Sequence, residues 1–445
     1  MAQRTQGNAR RRRRKTRKVR RARIPAALLI LCVLVSVAGV VELVRAVNMV
    51  FGSNVQPVAE TARQTTPATE SSVPTDGSRR VTFCAVGDNL INEGGEYTVD
   101  LLGMADDWAG TVGDGEYDFS PLYANVRQAV SSADIALVNQ ETTLGGNDEF
   151  EYMGFPSYNT PDEVADAVAA CGFDVVNCAT NHTYDLWVDA IEHSLGVWAR
   201  QDAVKVIGSY VSEQDRSNIR VIEKDGIRIA FLAYCYGQNG YEQQDLPNDY
   251  YAAPIDRTKM REEVLAARTI ADAVVVYLHW GEEMSHDITD EQQELASYVA
   301  GLGVDLLIGS HAHVIQPVAY ISRGIPTTTG KEVTSSQGML CVYGLGDFVS
   351  GYTLPEAILS GMFTCDFVLD KDGTVSIERP SWHALVEHAE EGVDTVYALS
   401  DYTPELAERN QLLARVEDEY GYADKIEWAR QTTRDVIGNA VQLYL

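Results

Sequence analysis

Two histidines stand two apart in the loop Gly309-Ser310-His311-Ala312-His313, directly after the apolar run Val304-Asp305-Leu306-Leu307-Ile308. Imidazoles at i and i+2 past a strand end can turn into one cleft, and neutral imidazole is the commonest protein ligand for transition metals. Four more apolar runs end in metal-capable side chains. Val86-Gly87-Asp88 places a carboxylate after a glycine where the backbone can turn sharply, and Val138-Asn139-Gln140-Glu141 places a second. Asn177-Cys178-Ala179-Thr180-Asn181-His182 offers an amide and an imidazole, and Tyr277-Leu278-His279-Trp280-Gly281 offers a further imidazole. Each alone has a plainer reading, as a turn, a solvated loop, a helix cap or a packed aromatic pair. Carboxylate, amide oxygen and imidazole together are the donor mixture of hard and borderline divalent ions, and five such strand ends in one chain argue for a metal site.

These donors need strands to carry them. Short apolar runs at Val81–Val86, Ile135–Asn139, Val175–Cys178, Val204–Ile207, Arg228–Cys235, Ala273–His279, Asp305–Ile308, Met339–Leu345 and Met362–Leu369 read as strands. Between them, Pro121–Ser132, Pro161–Cys171, Trp187–Gln201, Asp256–Thr269 and Asp290–Leu302 read as helices, with Thr160 and Glu163 spaced as a capping box around Pro161. Strand–helix alternation on this scale predicts an α/β domain, in which ligands gather beyond the carboxyl ends of the strands. Arg228–Cys235, Met339–Leu345 and Met362–Leu369 have strands as neighbours and are expected to form a second, partly antiparallel sheet. Residues 403–445 carry helical spacing, and 391–445 is expected to be a C-terminal helical segment.

The chain has 445 residues with a formal net charge of −28, unevenly distributed. Residues 1–23 hold 12 Lys or Arg and no acid, whereas from residue 50 onward 63 acidic residues face 23 basic ones. That acidic part would repel nucleic acid and other polyanions by its mean field, although a local cationic centre could still bind one, and nucleic acid is not expected as a partner. After the basic head, Ile24–Val41 is an apolar run of 18 residues interrupted only by Ser36. It is long enough to cross a bilayer, and the preceding charges place the N-terminus in the cytoplasm. The expected layout is therefore a basic cytoplasmic tail (1–23), a transmembrane signal anchor (24–45) in the lipid bilayer, a Thr/Ser/Pro-rich flexible stalk (46–79), an outward-facing domain (80–390) and the C-terminal segment. Six cysteines beyond the span lie mostly in strand-like runs, as buried thiols do, and sequence selects no disulfide pair among them.

The ordered set Gly87-Asp88, Asn139-x-Glu141, Ala179-Thr180-Asn181-His182, His279-Trp280-Gly281, His311-Ala312-His313 and Gly344-Leu345-Gly346-Asp347-Phe348 resembles the CapA family of capsule and poly-γ-glutamate synthesis proteins, which have a metallophosphoesterase-like fold. The resemblance runs from about Val81 to about His388. It implies a four-layer α/β/β/α sandwich with one or two divalent ions (Mn, Fe or Zn) at the strand ends. Asp88 and His313 would hold one ion, Asn181, His279 and His311 the other, with Glu141 between them and His182 as general acid. Asn89, Asn139 and Asp347 are candidates for contacting substrate. The chain departs from the phosphoesterase pattern in having Asp88-Asn89-Leu90 where that pattern has Asp-x-His, in keeping only the outer histidines of His311-Ala312-His313, and in Asp347 where Gly-Asn-Phe is usual.

The function the resemblance implies is synthesis, export or anchoring of an anionic capsule polymer at the outer face of a bacterial membrane, by metal-assisted hydrolysis or transfer on a phosphoester or amide-linked polymer. Capsule synthase membrane subunits are the implied protein partners. The alternatives are a non-catalytic scaffold of such a synthase and a secreted phosphoesterase unrelated to capsule.

Overall fold

The computed structural model describes residues 78–110, 116–323 and 338–445. The expected cytoplasmic tail, membrane span and nearly all of the stalk lie outside them. Among the described residues no helix is long and apolar enough to cross a membrane.

Among the described residues, fifteen strands form two sheets: β1 (Arg79–Asn89), β2 (Ile135–Gln140), β3 (Val175–Asn177), β4 (Lys205–Ile207), β5 (Arg220–Lys224), β6 (Ile227–Cys235), β7 (Ala273–His279), β8 (Leu306–Ser310), β9 (Val318–Ile321), β10 (Met339–Val342), β11 (Asp347–Val349), β12 (Leu359–Leu369), β13 (Val375–Glu390), β14 (Val393–Ala398) and β15 (Gln442–Tyr444). The first sheet runs β14-β13-β12-β1-β2-β3-β4, with β11 on β1 and β15 on β13; the second runs β5-β6-β7-β8-β10-β9. Strands β1 to β4 are mutually parallel, as are β6, β7, β8 and β10. The loops after all of these open on one side.

Side-chain alternation sets the layers, because successive strand residues face opposite sides of a sheet. Val81, Phe83 and Ala85 of β1 join Ala273, Val275 and Tyr277 of β7 in one core between the sheets. Cys84 and Val86 point the other way, onto the helices Leu101–Trp108 and Glu163–Cys171. Val274, Val276 and Leu278 point out onto the helices Arg257–Ile270 and Asp290–Gly301. Helices, sheet, sheet and helices are thus four layers of a mixed α/β fold. Phe83 ties the sheets together, stacked on Phe231 at 6.3 Å and edge-on to Phe367 at 5.8 Å.

Several expectations need correction. Met362–Leu369 belongs to the first sheet, as part of β12 against β1, because Phe363, Cys365 and Phe367 fill the core opposite β6. Met339–Leu345 stops at Val342, where Gly346 at φ 73° turns the chain back. Pro121–Ser132 splits into a 3-10 turn (Ser120–Tyr123) and a short helix (Arg127–Ser131). The helix after Pro161 starts at Glu163 with no side-chain cap, since the Thr160 hydroxyl bonds Thr142 Oγ1 at 2.8 Å. The segment 391–445 is not helical throughout: β14 and β15 both pair with β13, so it completes the first sheet. All six described cysteines are free thiols.

Two local constraints are testable. A Cβ on Gly87 would lie 1.7 Å from the Gly346 carbonyl oxygen, because β1 and the turn before β11 touch there. Gly87→Ala should cost about 3 kcal/mol of stability in urea unfolding, and a loss under about 1 kcal/mol would refute this contact as a constraint. Away from the metal-capable residues, Glu387 and Asp394 are buried side by side. Glu387 accepts from Ser350 N and Gly351 N, whereas neither Asp394 oxygen has a donor. Burial pushes the Glu387 carboxyl up to about 7 and Asp394 well above its ordinary range, the latter aided by Glu387. The folded chain then keeps protons that the unfolded chain releases near pH 4.5, so stability should fall as pH rises from about 4.5 to about 7. Asp394→Asn should flatten this slope in urea midpoints across that range; an unchanged slope would assign it to other groups.

Candidate metal centre

The open side of the sheets collects the polar strand ends. β1 delivers Asp88 and β11 delivers Asp347 directly beside it, the two being register partners. The loop after β2 brings Glu141, the loop after β3 brings Asn181 and His182, β7 ends on His279, and the loop after β8 carries His311 and His313. All are buried, Asp88, Asp347 and His279 completely. His311 and His313 sit at φ 95° and 58°, left-handed conformations that cost a non-glycine residue about 1–3 kcal/mol. The chain accepts that strain where it aims both rings inward, and His311 N donates to Asp88 Oδ2 at 3.2 Å.

Two donor groups form, sharing Glu141. Glu141, His279 and His311 make one and Asp88, Glu141 and His313 the other, with the ligand atoms of each within 4.8 Å of one another. Asn181 joins the first, its Oδ1 2.7 Å from His279 Nε2, while Ser310 Oγ holds the other nitrogen of that ring at 2.9 Å. His313 Nδ1 lies 2.9 Å from Asp347 Oδ1 and 3.9 Å from Asp88 Oδ2. The structure thus brings together all six residues expected as ligands.

The electrostatics of this cluster call for a cation. Burial, then Asp347, pushes Asp88 up to about 6; burial, then Asp88, pushes Glu141 well above its ordinary range. Burial, then the neighbouring imidazoles, pulls His279 down and His311 down to about 3. Burial would lower His313 too, but Asp347 beside it lifts it well above the usual imidazole range. Glu141 Oε1, His311 Nδ1 and Asp347 Oδ2 are buried with no hydrogen-bond partner. Orphaned carboxylate oxygens and a free imidazole nitrogen at one point fit a divalent ion, which would supply the missing partners.

The three residues expected to contact substrate lie elsewhere in the network. Asn139 is fully buried, donating to Asp88 Oδ1 at 2.7 Å and Glu141 Oε2 at 3.2 Å, and is itself held by Asn177 at 2.6 Å. Asn89 bonds Gln140 and the Tyr123 hydroxyl, both at 2.8 Å. Asp347 orients His313. All three act on the donors or the strands that carry them.

His182 stands beside the centre with its own support. Its Nδ1 donates to Asp185 Oδ2 at 2.7 Å, the same oxygen that accepts from Tyr158 N at 2.8 Å. Tyr158 packs edge-on to the ring at 4.7 Å, and Nε2 faces the Asn239 amide at 3.3 Å. With Nδ1 committed, Nε2 is the position that exchanges a proton. Asp185 had a signal in its spacing three residues after His182. Asn239, and Tyr236 tilted over His311 with ring centroids 4.5 Å apart, had none, since the loop after β6 reaches them only by folding back.

The family described as "Bacterial capsule synthesis protein PGA_cap" matches residues 82–352, a stretch that contains every residue of both donor groups. The PGA biosynthesis protein CapA of Bacillus subtilis (strain 168) is 28% identical over 179 residues, 40% of this chain and 42% of that protein. The capsule biosynthesis protein CapA of Bacillus anthracis is 27% identical over 167 residues, 37% of this chain and 40% of that protein. The chain therefore aligns with about two fifths of the length of these curated relatives. Among solved structures, the NAD nucleotidase NadN of Haemophilus influenzae is 11% identical at a TM-score of 0.39, over 80% of this chain and 67% of that one. The sulfate thiohydrolase SoxB of Thermus thermophilus is 13% identical at 0.38, over 79% and 62%.

Removing the Asn139 amide takes a hydrogen bond from both carboxylates. Asn139→Ala should weaken divalent-ion binding about ten- to a hundredfold in chelator competition. An unchanged affinity would show that the amide does not position them.

Proposed function

The chain belongs to the bacterial capsule synthesis protein family PGA_cap, and from that premise we propose that it serves in synthesis, export or anchoring of poly-γ-glutamate or a related capsule polymer, by metal-dependent hydrolysis or transfer. The observation that carries the chemistry is the pair of donor groups meeting at Glu141. The names of the curated relatives support the capsule role.

In this reading Asp88 and His313 would hold one ion and Asn181, His279 and His311 a second, with Glu141 available to both groups. Divalent ions bound there would supply polarisation of a phosphoryl or carbonyl oxygen and a lowered pKa for water. The chain's own residues do the rest. Asn139 and Asn177 fix the carboxylates, and Ser310 fixes the His279 ring. His182 hands a proton from Nε2 to the leaving group while Asp185 holds Nδ1–H, a division of labour worth about 10²–10⁴ in rate. The basic head and apolar span would keep the domain at the outer face of the cell membrane, beside capsule synthase membrane subunits. The substrate would be the capsule polymer or a phosphoester.

One observation favours the scaffold alternative. Leu90, two residues past Asp88, is fully buried and offers no donor, so the Asp88 half of the centre has one imidazole fewer than the phosphoesterase pattern. Metal content separates the readings. The purified full-length chain should carry about two equivalents of Mn, Fe or Zn by mass spectrometry, falling in Asp88→Ala and in His311→Ala. His182→Ala should keep the metal and the fold and lose turnover on a phosphodiester by about a hundredfold or more. No metal after reconstitution would overturn catalysis and leave the scaffold.

A further inference from the structure

Two phenols form the wall of the cleft between His182 and the ion-binding histidines. The Tyr158 ring lies edge-on to His182 at 4.7 Å, and the Tyr352 ring lies edge-on to His313 at 5.6 Å. Their hydroxyl oxygens are 3.3 Å apart. A continuous row therefore runs from His182 through Tyr158 and Tyr352 to His313. Both phenols stand in the field of the Glu141 and Asp347 carboxylates, yet neither is hydrogen-bonded to a residue of the two donor groups.

The pair has one proton more than it needs. Each phenol carries one O–H at neutral pH, and a single O–H joins two oxygens. Tyr158 is fully buried, whereas Tyr352 is partly exposed. Were Tyr352 the donor, the Tyr158 proton would be left without an acceptor inside the protein, the more costly arrangement. Tyr158 therefore donates to Tyr352, and the Tyr352 O–H is the one left to the cleft. The orphaned oxygens Glu141 Oε1 and Asp347 Oδ2 do not take it.

Both phenols are held from behind. Tyr158 N donates to Asp185 Oδ2 at 2.8 Å, the oxygen that also accepts from His182 Nδ1, so one carboxylate sets the imidazole and the first phenol together. Tyr352 follows β11 in a loop pinned at three points. Gly351 N donates to Glu387 Oε1 at 2.8 Å, Tyr352 N donates to Ser350 Oγ at 3.2 Å, and Thr98 bridges Tyr352 from the segment after β1. A donor fixed before substrate arrives needs no reorganisation when charge develops, which is the condition for stabilising an oxyanion.

We propose that Tyr352 is a catalytic residue that donates its O–H to the phosphoryl or carbonyl oxygen on which negative charge develops, and that Tyr158 is a positioning residue that aims and polarises it. The inference rests on the cleft being the catalytic site of the preceding section and deepens it by orienting the substrate. The reacting oxygen lies toward His313 and the leaving group toward His182 Nε2. No bond forms or breaks at either phenol: the Tyr352 proton stays on its oxygen, and the proton that moves is the one on His182.

The test uses the metal-reconstituted full-length chain, with bis(4-nitrophenyl) phosphate as substrate and inorganic phosphate as the ligand in isothermal titration calorimetry. Tyr→Phe removes one oxygen and keeps the ring packing, so metal content and thermal midpoint should match the wild type. Tyr352→Phe should lower kcat at least tenfold and leave KM within about twofold, since an oxyanion donor acts mainly in the transition state. It should also weaken phosphate at least threefold, because phosphate oxygens already carry the charge that the diester gains only on reacting. Tyr158→Phe should lower kcat about three- to tenfold. The double variant should match Tyr352→Phe within about twofold, because the first phenol acts only through the second.

Turnover by Tyr352→Phe within about twofold of the wild type would overturn the donor role and leave the metal-centred reading intact. Loss of metal in Tyr352→Phe would assign the phenol to bracing the His313 ring and overturn the donor role as well. Losses that multiply in the double variant would overturn the relay from Tyr158. A wild type that holds its ions and binds phosphate without turnover, with that binding weakened in Tyr352→Phe, keeps the donor and overturns catalysis. Ions held with neither turnover nor phosphate binding would overturn both.

Discussion

Three carboxyl groups, Asp88, Glu141 and Asp347, are buried within reach of one another with no lysine or arginine on any of the surrounding segments. Taking such groups out of water without compensation is among the most costly things a fold can do. The protein offers partial compensation: the Asn177–Asn139 amide relay, the His311 backbone N–H, and the His313 ring held against Asp347. The rest is left to a cation. That unmet demand organises the open side of both sheets, because every donor must reach the same small volume from a different strand.

The scaffold makes this possible through close backbone contact. β11 lies against β1 so that Asp88 and Asp347 are register partners, and Gly87 leaves no side chain in the way of the Gly346 carbonyl. Glu141, His279 and the His311/His313 loop come from strands of two different sheets, so the centre exists only while the sheets stay packed. The core around Phe83, Phe231 and Phe367 therefore supports the chemistry as well as the stability. The two strained histidines show the same dependence, since their left-handed backbones persist only where the surroundings hold them.

The donors were legible in the amino-acid sequence because each sits just past an apolar run, where period-two burial gives way to polar loop, and that change of pattern is local. Asp88, Glu141, Asn181, His182, His279, His311 and His313 could all be named from it, as could the parallel α/β character and the acidic excess. The sequence could not say which strands would be neighbours. Met362–Leu369 reads equally well in either sheet, and the pairing of Val393–Ala398 and Gln442–Tyr444 with β13 depends on partners distant in the chain. Roles within the centre were likewise a matter of tertiary structure. Whether Asn139 and Asp347 face a substrate or brace a ligand depends on where Asp88 and His313 come to lie, and Asn239 and Tyr236 enter only because a loop folds back over the cleft. Residue type and local burial pattern are properties of the chain; distances between strand ends are properties of the packed sheets.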